Sequence, residues 1–412
     1  MISIKGNARA CVFLEPLFLI PHTMFSGFMT LYMLELGVSK SQVGMITSLG
    51  LAVAVFFALS SAYITDKLGR KNSSLIFDTI GWGAALLIWA LAKNVYFFAA
   101  AAIVNAAGRV VMNSWHCLML EDSPPPVRVH IFNFLQIAGI LGGFFTPVGA
   151  LLISRLSLVP AMRVMLIFGL VSMLALFIIR HLLVTETAIG RQKQLEMKGV
   201  GAFSVIKSYI PALKRIFANK LLVIALLLRA LNFIQVTIRN TFLAVLVTEG
   251  LGFPPEALAL FQTLIAGVTL AALVFITPIL SRFTSRWPIS LGIWLHVAAT
   301  AILLLSPPSS NYPLLIAGAV LLALGTSISS PRIDALLANM IENEDRSVVN
   351  AITSVVLLLI STPFGYISGV LSEIDSRYPF LLMTFMFLIC LALLHSASRY
   401  EKKLGKLDPD AR

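Results

Sequence analysis

Charge is scarce in this chain. Only 12% of its 412 residues are charged and 58% are hydrophobic, with a mean hydropathy of +0.90. Soluble domains carry about 25% charged residues. A chain this apolar cannot cover itself with a hydrated surface, and a bilayer is the solvent that suits it. Cysteine is scarce as well. Cys11, Cys117 and Cys390 all fall in apolar runs, as small hydrophobes do, and give no disulfide or metal framework. There is no His-x-x-x-His, no Gly-x-Ser-x-Gly and no phosphate loop, so nothing points to an intramembrane enzyme, a metal, a cofactor or ATP drive. The net charge of +12 invites a nucleic-acid reading, but the basic residues are scattered, with no basic domain or stacking platform. No small-residue cleavage site follows a short apolar core near the N-terminus, so a removed signal peptide is not expected.

What the chain has is long apolar runs. A spanning helix needs about 20 mostly apolar residues, and twelve such runs are read at 10–36, 41–64, 73–92, 95–120, 128–154, 160–182, 219–247, 255–280, 288–306, 313–338, 345–371 and 378–398. The fold class is therefore an all-α membrane protein. With the N-terminus taken as cytoplasmic, the external loops hold only Lys40, Lys93, Arg155, Arg163 and Arg377 of the 31 basic residues, and Arg109, Arg229, Arg239 and Arg332 lie inside spans. The rest are cytoplasmic. That bias places both termini on the cytoplasmic side of a cell membrane.

The longest connection, 183–218, separates an N-terminal bundle, 1–182, from a C-terminal one, 219–412. It is polar and basic, and its second part, Phe203 to Phe217, mixes Ile, Tyr and Phe with Lys207, Lys214 and Arg215. That pattern suits an interfacial amphipathic helix and equally an ordered basic linker. The two bundles echo each other. Thr146-Pro147-Val148-Gly149 recurs as Thr362-Pro363-Phe364-Gly365, Gly108 matches Gly325, and Asn133 matches Asn350, at offsets of 216 or 217 positions. A six-plus-six repeat follows, an arrangement common in transporters.

Between spans 2 and 3 lies Asp66-Lys67-Leu68-Gly69-Arg70-Lys71, a charged turn between two apolar runs. With the twelve spans and the repeat, it resembles the major facilitator superfamily, whose signature Gly-x-x-x-Asp-[Arg/Lys]-x-Gly-[Arg/Lys]-[Arg/Lys] is matched at Asp66, Lys67, Gly69, Arg70 and Lys71. Ala62 stands at its first position. The equivalent turn after span 8, Ser281 to Arg286, keeps Arg282 and Arg286 and lacks the aspartate. Arg109 and Arg128 resemble the family's span-4 arginine motif. Gly139, Gly142, Gly143, Pro147 and Gly149 resemble the antiporters' span-5 motif only loosely. The resemblance implies two six-helix pseudo-symmetric bundles, a cavity lined by spans 1, 4, 7 and 10, and a conformational latch made of Asp66, Gly69, Arg70 and Lys71. Glu121 and Asp122 after span 4, with Arg346 before span 11 as their counterpart, belong to the same latch.

Those four spans carry the polar residues. Span 1 has Glu15, His22 and Ser26, span 4 has Asn105, Arg109, Asn113 and His116, and span 7 has Arg229, Asn232, Gln235 and Arg239, each set at helical spacing. Span 10 has Thr326, Ser329, Ser330, Arg332 and Asp334 in a poorer stripe. Ionisable groups in hydrocarbon usually face a cavity, and the alternative is hydrogen bonding between helices that only holds the bundle. Glu15 and Arg109 come out at similar depth and are predicted to pair. His22 is a second proton candidate. Arg229 reads either as an anion site or as a structural partner, Asp78 as a partner of the charged turn, and His296 as a packing residue.

The function these features imply is secondary transport of a small organic molecule by alternating access, coupled to protons, by a monomer in the lipid bilayer. Efflux of amphipathic molecules comes first, import of a small organic anion second, and movement of a lipid or lipid-linked sugar third.

Overall fold

The computed structural model describes residues 4–201, 210–280, 283, 287–307, 311–339 and 346–403. Among these there are helices and no strands. Eleven helices are long and apolar enough to cross a bilayer, and a bent pair makes the twelfth. The chain divides into two compact units, Met1–Ile210 and Pro211–Arg412.

In the first unit, span 1 is the bent pair, Gly6–Ser26 and Met29–Glu35, meeting at 45°. Pro16 opens one helical segment and Pro21 lies inside it. Neither can donate a backbone N–H, which weakens the helix there. Span 2, Lys40–Leu68, begins on a reciprocal cap: Ser39 Oγ accepts from the Gln42 N–H at 3.2 Å, and the Gln42 side chain accepts from the Ser39 N–H at 2.9 Å. Two orphan donors are satisfied at once. Spans 3 to 6 follow as Arg70–Ala90, Val95–Leu120, His130–Leu156 and Leu158–Leu183. The core of this end packs Cys11 and Val12 of span 1 against Leu118 and Met119 of span 4. A short helix, Ala188–Glu196, then lies against span 2.

The second unit holds spans 7 to 12: Lys220–Gly250, Ala257–Leu280, Trp287–Leu305, Tyr312–Leu337, Ile352–Ile374 and Tyr378–Ala397. Asn219 caps span 7 by accepting from the N–H groups of Leu221 and Leu222. Of the segment expected as an amphipathic helix, Ile210–Ala218 is helical, and 202–209 lies outside the described residues. So do Ser281, Arg282 and 284–286, most of the turn expected to echo Asp66 to Lys71. Arg346 opens a helix, but its side chain lies outside the described residues.

The repeat has a packing counterpart in each unit. A Cβ built on Gly81 of span 3 would come within 2.6 Å of the Gly108 backbone nitrogen in span 4. A Cβ built on Gly325 of span 10 would come within 2.8 Å of the Gly292 carbonyl oxygen in span 9. Small residues let helix backbones approach closely inside a membrane. The Gly108–Gly325 echo is therefore a shared close approach.

Candidate functional site

The charged turn contracts to a single residue. Asp66 and Lys67 belong to the last turn of span 2, Arg70 and Lys71 to the first turn of span 3, and only Gly69 lies between. Gly69 has φ +85°, a conformation costly for any side chain. Two basic residues at a helix N-terminus oppose its dipole. Glu186, from the segment after span 6, offsets this: its carboxylate accepts from the backbone N–H of Arg70 and of Lys71, both at 3.0 Å. The Arg70 side chain is 4% exposed, pairs with Asp66 at 2.8 Å and with Glu121 at 3.1 Å, and donates from Nε to Glu121 as well. Thr187 donates to the other Glu121 oxygen. Asp122 accepts from Asn7 at 3.3 Å. Of the residues expected to form a latch, Asp66, Arg70 and Glu121 are thus tied together within the first unit, and Glu186 and Thr187 join them, which spacing alone did not reveal. They lie 65 or more positions from Glu121 in a segment that reads as linker.

Deeper in the first unit, the expected Glu15–Arg109 pair does not form. No ion pair or hydrogen bond joins either side chain to a partner among the described residues. The charged groups acting on Glu15 are Arg180 and Asp78. Similar depth places two residues in one layer, but it does not fix which way each helix faces. Glu15 is the residue where span 1 breaks before Pro16, and Arg109 follows a break at Ala106 and Ala107 in span 4. Asp78 also departs from expectation. It pairs with Arg180 of span 6, not with the charged turn, and the two side chains are 6% and 5% exposed. Arg180 was missed because an arginine close to the end of a span reads as a snorkelling loop residue.

His22 sits in an aromatic cluster, stacked on Phe18 at 5.4 Å, with Trp82 and Phe25 edge-on at 5.4 and 5.6 Å. Asn105 donates to the Gly81 carbonyl at 2.8 Å, inside a π-helical turn, Thr79–Ala84, that immediately follows Asp78. Asn113 accepts a long contact from Cys117. His22 is therefore enclosed by aromatic rings, whereas Asn105 ties helices together.

The second unit gathers Asn232, Gln235 and Arg239 of span 7, Thr326 and Ser330 of span 10 and His296 of span 9 around one small pocket. Arg239 donates to Thr326 at 3.1 Å, and Ser330 donates to Asn232 at 3.3 Å. Arg229 lies outside that pocket and pairs with Asp334 at 3.0 Å. Arg332 donates to its own helix at Ile328. His296 packs as expected, stacked on Phe387 at 4.6 Å with 11° between planes, and it also walls the pocket.

Membrane-spanning helices with charged and polar interiors in two repeated units define a polytopic membrane transporter. The family model described as Major Facilitator Superfamily matches residues 17–238 and 225–409, and the chain belongs to that superfamily. It is 27% identical over 146 residues to the uncharacterized MFS-type transporter YqjV of Bacillus subtilis (strain 168), a match spanning 35% of each chain. Its fold is similar to that of the nucleoside transporter NupG, with TM-score 0.70 and 15% identity over 96% of this chain and 99% of that one. It is also similar to a D-xylose-proton symporter, with TM-score 0.72 and 15% identity over 94% and 96%. A POT family transporter in complex with 5-aminolevulinic acid gives TM-score 0.71 and 12% identity over 96% of each chain. The protein is a multi-pass membrane transporter and not an enzyme.

Proposed function

We propose that this transporter moves a small organic molecule by alternating access and couples that movement to protons through Glu15. The observation that carries the reading is the charge balance inside the first unit. Two carboxylates, Glu15 and Asp78, lie within electrostatic reach of one guanidinium, Arg180. Asp78 holds the guanidinium in a direct pair. Glu15 is left with no hydrogen-bonded partner among the described residues, and an uncompensated carboxylate in hydrocarbon is costly. A carboxyl group that gains and loses a proton as its surroundings alternate resolves that cost. The aromatic cluster of Phe18, His22, Phe25 and Trp82 suits an amphipathic organic cargo, and outward movement is the direction assigned to it. Both termini are assigned to the cytoplasm on the distribution of Lys and Arg, and the working unit is a monomer.

The test is a proteoliposome assay with an imposed pH gradient, scanning fluorescent amphipathic dyes and aromatic carboxylates. Wild-type flux should follow the gradient. Glu15→Gln should abolish that response while leaving substrate exchange at equal pH. Flux that ignores the gradient in the wild type, or that still follows it in Glu15→Gln, refutes the coupling.

A second reading, import of a small organic anion, is favoured by Arg239, a guanidinium that meets a hydroxyl and no carboxylate among the described residues.

A further inference from the structure

We infer that the pocket of the second unit is a carboxylate-binding subsite, in which Arg239 and Gln235 receive the anionic end of an organic substrate. This rests on the organic-anion reading. It does not depend on direction or on proton coupling.

The walls of the pocket carry more donors than acceptors. A guanidinium offers five N–H donors and no acceptor, and the hydrogen bond found for Arg239 uses one of them, to Thr326 at 3.1 Å. Thr326 is already committed, since its own hydroxyl donates to the Leu322 carbonyl at 2.9 Å. Gln235 is 4% exposed, and its Nε2 is buried with no hydrogen-bond partner among the described residues. Leaving such a donor unmet costs about 1–3 kcal/mol. Asn232 spends its oxygen on Ser330 at 3.3 Å, which leaves its amide N–H groups for the pocket. His296 is also 4% exposed, with Nδ1 unpartnered among the described residues, and its ring is stacked against Phe387. One full positive charge and two amide donors therefore converge on a space that no carboxylate of the described residues fills.

The missing acceptor has a definable chemistry. A planar two-oxygen anion matches the guanidinium fork, and the second oxygen can take the Gln235 amide. A neutral hydroxyl or amide would leave the charge of Arg239 unmet. The pocket is small and takes one group, not a whole solute. Phe387, Met383, Leu322 and Val236 supply an apolar wall for the first carbons of the attached body.

The full chain, purified in detergent, provides the test by thermal shift at constant ionic strength. The probes are benzoate, its neutral isostere benzamide, acetate, and chloride as a simple inorganic anion. Benzoate should give a saturable rise in melting temperature, and benzamide and chloride should not. Arg239→Gln should weaken benzoate binding about tenfold or more, the usual consequence of losing a charged hydrogen-bond pair. Gln235→Leu, which keeps the charge and removes the unmet donor, should weaken it several-fold, and it decides the matter if Arg239→Gln fails to fold. A saturable response to neither benzoate nor acetate, an equal response to benzamide or chloride, or benzoate binding unchanged in both variants overturns the assignment. The assay needs no gradient. Failure here leaves Glu15 coupling standing, and gradient-insensitive flux leaves this subsite standing.

Discussion

Asp78 of span 3 and Arg180 of span 6 pair directly inside the first unit, 102 positions apart in sequence and almost wholly removed from solvent. Taking two charges out of water is expensive, and their attraction in a low-dielectric interior repays this only when the geometry is good. Such a pair is most damaging when half of it is removed, because the other charge is then buried alone.

Arg180→Ala or Asp78→Asn should therefore each destabilise the protein by about 3–5 kcal/mol. The double replacement Asp78→Leu with Arg180→Met should recover most of that loss, since it leaves neither member of the pair buried alone. Thermal unfolding of the purified variants in detergent checks both statements. A double variant as unstable as the sum of the singles would show that the pair does more than compensate itself.

Gly69→Ala should be costly beyond the loss of a flexible residue. The backbone there has φ +85°, and an added Cβ would lie 2.5 Å from Glu186 Oε2. About 1–3 kcal/mol of strain is expected. Glu186 must also move from its cap on span 3. Removing that carboxylate, as in Gly69→Ala with Glu186→Ala, relieves that contact but neither the one with Gln194 Nε2 at 2.6 Å nor the backbone strain, so partial recovery of melting temperature is the expected result.

Asp66→Ala and Arg70→Ala should impair transport more than substrate binding. Their observed partners are Glu121, Glu186 and each other, none of them in the aromatic cluster or the polar pocket. Parallel measurement of binding and flux separates the two effects. A variant that loses affinity yet cycles at the normal rate contradicts a latch role. For Arg70→Glu with Glu121→Arg, partial rescue of flux would identify that contact as the one that matters.

Lys193 and Glu196 pair at 2.7 Å on the helix after span 6, both nearly half exposed. The Glu196 carboxylate raises Lys193 above its ordinary range, and hydrogen bonds from Lys193 and Gln192 lower Glu196 below its own. The lysine's contribution is present below its ordinary pKa and fades as pH rises through the raised one. The glutamate's is present above its ordinary pKa and fades as pH falls through the lowered one. Both act across neutral pH, but exposed pairs contribute little. Lys193→Ala should leave melting temperature at pH 7 within experimental error.

The spans were legible because hydropathy and length alone define them, and the charged turn because its residue types are so unlike its neighbours. The Glu15–Arg109 pair was not legible. Sequence fixes a residue's depth along its helix, but breaks at Glu15 and at Ala106–Ala107 change which way the following turns face. Arg180 was hidden for a different reason: a terminal arginine looks hydrated until another helix covers it. In span 7 the stripe brings Asn232, Gln235 and Arg239 to one pocket, while Arg229 of the same stripe meets Asp334. A stripe marks a face of a helix, and the neighbouring helix decides what each residue on that face meets.

The glycine contacts between spans 3 and 4 and between spans 9 and 10 also constrain motion. Backbones that touch leave no lubricating layer of side chains, so neither partner can slip along the other without collision. Each such pair travels as a single strut. Bending or swinging is then left to elements that flank the struts, and the first span, with Pro16 and Pro21, is one of them.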